Sequence, residues 1–202
     1  MSKEISAQFA PGSALAAVPA ARGSVWLRSG GIVLAGSAFA ALCAHVALPL
    51  YFTPVPLSLT PFAVLLLGLL LSPRLAAATL GAYLVEGALG LPVFAPTPAV
   101  PGLTHLMGPT GGYLLAYPLA AALIAFLVRR TGRGFAPAFL SAATGSLVIL
   151  ACGAVWLAAL THVSVQSVFT LAILPFLPGD ALKVAAAAAL AAGWVRLRHR
   201  PD

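Results

Sequence analysis

Six apolar stretches, joined by connectors that are basic on one side and uncharged on the other, constrain this chain more than any other feature. They run over 31–49, 57–71, 75–91, 112–128, 137–160 and 178–195, each near the roughly 20 residues a helix needs to cross about 30 Å of hydrocarbon. Ten basic residues fall on one set of connectors: Lys3, Arg22 and Arg28, then Arg74, then Arg129, Arg130 and Arg133, then Arg196, Arg198 and Arg200. The opposite connectors, 49–56, 92–111 and 161–177, contain no Lys, Arg, Asp or Glu. An even number of spans with both termini cytoplasmic satisfies the positive-inside rule. The expected architecture is an all-α membrane protein, a bundle of six transmembrane helices.

Composition agrees. Of 202 residues, 61% are hydrophobic and 7% charged, against about 25% charged in a soluble domain. The formal charge of +7 is accounted for by topology, with anionic lipid as the partner of the basic surface and no nucleic-acid footprint. The expected organisation is a disordered cytoplasmic tail over 1–30, one substrate-binding membrane domain over 31–197 and a short cytoplasmic tail over 198–202. The segment LAAVPAA loosely mimics a signal-peptide core, but Pro19 interrupts it, and Arg22 and Arg28 suit the inner flank of a first span.

The one basic residue off the cytoplasmic side is Lys183, three residues after Asp180 in an otherwise apolar stretch. A charge at membrane depth costs about 2.5–3.5 kcal/mol on insertion scales, so the pair is read first as a ligand or ion site. Two bland readings stand beside it: Asp180 as an N-terminal helix residue after Pro178 and Gly179, and the pair as an internal salt bridge. Glu86 is a third charge in an apolar stretch, at the same level if the spans are drawn as above. A protonated carboxyl bonded between helices is its bland alternative.

The uncharged connectors are rich in Pro, Gly and aromatics: PLYFTPVPLS, LPVFAPTPAVPGLTHLMGPTGGYL and HVSVQSVFTLAILPFLPGD. Fixed-φ prolines lower the entropy lost on ordering, so such loops suit a cap over a small ligand. GPTGGY at 108–113 lacks the Lys-Ser/Thr of a P-loop and does not bind nucleotide. Thr110, Gly111 and Tyr113 are instead candidates to meet a ligand, with Phe52, Tyr83, Phe94 and Tyr113 as ring walls or as interfacial aromatics. Trp26, Trp156 and Trp194 are assigned to belt or packing. His45, His105 and His162 lack metal-ligand spacing, as do Cys43 and Cys152, so neither metal nor cofactor is expected. His105, in the long connector, could meet a ligand carboxylate.

FTPVPLSLTPFAVLLLGLLLSPRLAAATLGAYLVEGALGLPVF, LMGPTGGYLLAYPLAA and PGDALKV resemble, in order and spacing, the BioY family, the biotin-binding S components of energy-coupling factor (ECF) vitamin transporters. The resemblance covers about Phe52 to Val184. One departure stands out: where the family pattern would read VPxTxQT this chain reads VPLSLTP, with Thr60 and Pro61 in place of an amide and a hydroxyl residue. The resemblance implies biotin as transported ligand, its ureido N–H groups received by Glu86 and Asp180 and an oxygen by Lys183. It implies as partners a membrane T component and two ATPase subunits, in a bacterial plasma membrane. The small-residue row Gly36, Ala40 and Ala44 on the first helix would dock the T component or serve internal packing. The chain has no Walker motif, nucleophile elbow or HExxH, so no catalysis is expected. Two alternatives remain at this level: an S component for another vitamin, and a membrane enzyme using Glu86, Asp180 and His105 as acid/base groups.

Overall fold

The computed structural model describes residues 20–96, 102–132, 134–162 and 164–198. Helix α1 (Ala20–His45) leads through a two-strand ladder, β1 (Ala47–Leu48) and β2 (Leu57–Ser58), into α2 (Thr60–Leu70) and α3 (Pro73–Ala88). A one-turn helix α4 (Leu103–Leu106) precedes α5 (Gly111–Thr131) and α6 (Phe135–Thr161). The short α7 (Val165–Val168) runs into a π-helical turn over Phe169–Ile173, and α8 (Leu177–Arg198) ends the described chain.

Local chemistry sets these limits. Pro61 and Pro73 stand in the first turns of α2 and α3, where a missing N–H costs nothing, and the Ser72 side chain caps α3 by accepting from the Leu75 N–H at 3.4 Å. Gly132 ends α5 at φ +112°, a conformation that glycine adopts without strain. Among the described residues three helices are long and apolar enough to cross a membrane, Leu27–His45, Gly111–Thr131 and Phe135–Thr161. Helix α2, with 11 residues, reaches only about 16 Å; the first three residues of its apolar stretch are spent on the β-ladder and its approach. The ladder is antiparallel, pairing Ala47 with Ser58 and Leu48 with Leu57, and departs from an all-α expectation.

Helix α1 begins at Ala20, so the expected tail over 1–30 is helical from there, while 1–19 lie outside the described residues. Hydropathy sets the expected span from residue 31 and does not mark where the hydrogen-bonded helix itself starts.

Helix α5 is the centre of the bundle, packed against α6, α3 and α2, while α1 lies on α3 and α8 on α2 and α6. Close approach depends on glycines: a Cβ on Gly68 would come within 3.0 Å of the Ala121 carbonyl oxygen and 2.9 Å of Ile124 Cβ, and one on Gly145 would overlap Ile124. Such contacts hold helices together where lipid removes the hydrophobic drive. Leu34, Leu42, Leu119, Leu140, Leu147, Leu182 and Leu190 point outward, as a lipid-solvated surface requires. The row Gly36, Ala40 and Ala44 is used inside the bundle: Ala40 and Ala44 are fully buried and Gly36 sits against Thr79 and Leu67. That face is closed to a partner, which corrects the docking reading.

Candidate functional site

Asp180 lies in the first turn of α8, where a carboxylate is favoured by the helix dipole. Lys183, three residues on, shares its face, and its Nζ donates to Asp180 Oδ1 at 3.0 Å. The two side chains are only 10% and 9% exposed. The other carboxylate oxygen, Oδ2, accepts from Ser146 Oγ of α6 at 3.1 Å. Asp180 is thus held from two helices. Ser146 was not legible in advance: Ser141, Thr144 and Thr161 on the same helix bond back to Pro137, Leu140 and Leu157 carbonyls four residues before them, and only the tertiary packing turns Ser146 across to α8.

Beside this pair opens a cavity of about 560 Å³, counting its mouth. The β-ladder connector and α2 give it Val55, Pro56, Ser58, Thr60 and Pro61; α3 gives Tyr83; the long connector gives Ala95, His105 and Thr110. Helix α5 adds Tyr113, Leu114 and Tyr117, α6 adds Ile149 and Leu150, and Phe176, Asp180 and Lys183 close it. Of the expected site residues, Tyr83, Thr110, Tyr113, Asp180 and Lys183 come together here. Ser58 and Thr60, at the junction where the chain departs from the VPxTxQT pattern, keep hydroxyls in the lining, and Ser58 Oγ donates to Thr60 Oγ1 at 3.1 Å. Tyr117 and Phe176 also line it, though in sequence nothing sets them apart from the other aromatics of the spans and connectors.

Tyr83 is completely buried. Thr60 sits beside the hydroxyls of both Tyr83 and Tyr117, yet no hydrogen bond of ordinary geometry reaches Tyr83 Oη. A buried hydroxyl left unpaired costs about 1–3 kcal/mol, and Tyr83 Oη lies behind the cavity surface, beside Thr60. His105 is also buried, its ring centroid 5.0 Å from that of Phe94, and burial lowers its pKa, keeping the imidazole neutral.

Four expected site residues stand elsewhere. Glu86 is turned about 60° around α3 from Tyr83, toward α1, where its carboxylate accepts from Ser37 Oγ; it lines an open groove with Ala38, Ala41, His45 and Val93, not the cavity. Phe52 is 58% exposed on the connector. Phe94 is a buttress: its ring meets Tyr83 edge-on at 5.3 Å and fills the space above Gly87, where a Cβ would overlap it. Gly111 brings α5 against the Leu106 carbonyl and Trp156, so its close approach serves the loop rather than a ligand. Trp156 completes that clamp, donating from Nε1 to the Gly108 carbonyl at 2.9 Å. Among the described residues no group of His, Cys, Asp or Glu is placed to hold a metal.

A small, mostly apolar, enclosed site with one buried ion pair agrees with the resemblance drawn from the motifs, and the model of the BioY family matches residues 14–200. The chain belongs to the BioY family. It is 41% identical over 138 residues to a probable biotin transporter BioY of Pyrococcus horikoshii, covering 68% of this chain and 79% of that one. It is 33% identical over 148 residues to the biotin transporter BioY of Thermotoga maritima, covering 73% and 84%. Its fold matches the crystal structure of the S-component for biotin from an ECF-type ABC transporter with a TM-score of 0.77 at 24% identity, over 89% of this chain and 95% of that one. These BioY relatives are transporters, not enzymes. The acid/base reading also loses its geometry, since Glu86 and Asp180 open onto different surfaces of the bundle.

Proposed function

We propose that this BioY chain is the biotin-binding S component of an ECF-type uptake transporter, and that biotin occupies the cavity beside Asp180. The observation that carries the reading is the Asp180–Lys183 pair at 3.0 Å, set in the wall of a cavity otherwise lined mostly by apolar and aromatic side chains. A ureido group presents an N–H donor beside a carbonyl acceptor; the pair presents an acceptor beside a donor. Asp180 has lone pairs left after Ser146 and Lys183 are served, and Lys183 has two further N–H donors. The ureido edge docks on the pair, the hydroxyls of Ser58, Thr60 and Thr110 take the remaining polar edges, Tyr83 backs the wall, and Tyr113, Tyr117 and Phe176 flank the apolar rings. His105, neutral, stands in the same wall. Phe94 and Gly111 support these groups from behind, and Glu86 and Phe52 lie outside the contact set.

Among the described residues, the six helices of eleven or more residues form the membrane domain, with both termini and the arginine-bearing end in the cytoplasm of a bacterial cell and the cavity facing out. Since the chain carries no nucleotide-binding motif, a T component and two ATPase subunits supply the work of release inward.

Binding of a ligand panel to the purified protein tests this reading. Biotin and its methyl ester are expected to bind within about tenfold of each other, because the ion pair reads the ureido ring, while thiamine and riboflavin do not compete. Loss of binding on esterification would move Lys183 to the carboxylate, and competition by another vitamin in preference to biotin would overturn the assignment.

A further inference from the structure

A second cavity lies at the other end of the bundle, where α2, α5 and α8 end and α6 begins. It measures about 500 Å³ with its mouth. Leu69, Val128, Ala138 and Ala191 form its walls, and Trp194 and Arg198 its rim. The Arg198 guanidinium lies 4.7 Å from the Trp194 ring centroid, and Trp194 is half-exposed. Arg28, Arg74, Arg129, Arg130 and Arg196 also stand exposed at this end, which places it at the level of lipid headgroups.

Charge and shape together select the occupant. A free phosphate would gain nothing from an apolar cavity, and an uncharged chain nothing from the arginine. An anionic amphiphile uses both. We propose that one acyl chain of an anionic phospholipid lies along the apolar mouth of this cavity with its phosphate on Arg198, oriented by the Trp194 ring at the interface. Seated there, the lipid ties together the ends of α2, α5, α6 and α8, opposite the ligand cavity. The inference requires only that the chain spans a membrane and is independent of which vitamin it binds.

Native mass spectrometry of the full-length protein, titrated with phosphatidylglycerol or phosphatidylcholine of the same acyl chains, tests it. The first phosphatidylglycerol is expected to bind about fivefold or more tighter than the first phosphatidylcholine. Arg198→Gln abolishes the preference, while Arg130→Gln preserves it: Arg130 is at the same end but stacks on Phe126 at 5.0 Å, away from the cavity. Both are exposed positions, and a monodisperse elution profile verifies that each variant is folded. Equal binding of the two lipids, equal loss in both variants, or competition by glycerol phosphate without acyl chains would overturn the proposal. The first would leave apolar contact without charge selection, the second general attraction by the basic surface, and the third a free-anion site.

Discussion

Replacing Gly153 by alanine puts a methyl group into the ring of Tyr113, because a Cβ at that position overlaps Tyr113 Cδ1, Cε1 and Cζ. Tyr113 is 7% exposed and forms a wall of the ligand cavity, so the ring has one direction in which to yield, into the space where a ligand sits. Glycine to alanine within a helix is by itself favourable by about 0.5–1 kcal/mol. Overpacking costs about 1–3 kcal/mol, so the net change in folding stability is a loss of up to about 2.5 kcal/mol, and a ring displaced into the ligand space is separately expected to weaken biotin binding about tenfold, about 1.4 kcal/mol. Gly81→Ala is the matched control: it is also a mid-helix glycine, and no heavy atom lies within 4 Å of the point a Cβ would occupy there, so it is expected to keep affinity and to hold or raise the melting temperature. Calorimetric titration with biotin and thermal unfolding in one detergent measure both. Adding Tyr113→Leu to Gly153→Ala should restore stability without restoring affinity. A Gly153→Ala protein that binds biotin within twofold of the unaltered protein and melts no lower than Gly81→Ala would refute this reasoning.

Ser146→Ala removes a hydrogen bond to a buried carboxylate from a residue that does not line the cavity; biotin affinity is expected to fall about tenfold through loss of Asp180 positioning, measured by the same titration. Glu86→Gln, which keeps a partner for Ser37, is expected to leave biotin affinity unchanged within about twofold, and a large loss would return Glu86 to the ligand site. The depressed pKa of His105 means that below about 6.5 the unfolded chain takes up a proton that the folded chain resists. Stability therefore falls as pH drops through that range, and His105→Gln is expected to flatten that part of the melting-temperature profile.

The bundle was legible because lipid imposes simple rules on a sequence. Span lengths and the one-sided arginines located α3, α5, α6 and α8 to within a few residues. The limits of α1 and α2 were not, since hydropathy follows the membrane and not the hydrogen-bond ladder, and a two-residue strand pair leaves too little pattern to see. Within the site, Asp180 and Lys183 were visible because charge is conspicuous in an apolar helix. Glu86 was equally conspicuous and was placed in the site for the same reason. Its direction depended on a rotation of about 60° around α3 that level alone does not reveal. Ser146, Tyr117 and Phe176 were invisible because nothing separates them, in sequence, from residues that serve packing. The small row on α1 misled because close packing inside the bundle and docking outside it ask for the same residues.

Biotin titration of the purified protein against Lys183→Met tests the central claim most directly. Stoichiometric binding by the unaltered protein, weakened well over tenfold, about 1.4 kcal/mol or more, in the variant, is the predicted result. Biotin binding that survives the substitution would return the Asp180–Lys183 pair to a structural role, and a folded protein that binds no biotin would contradict the account.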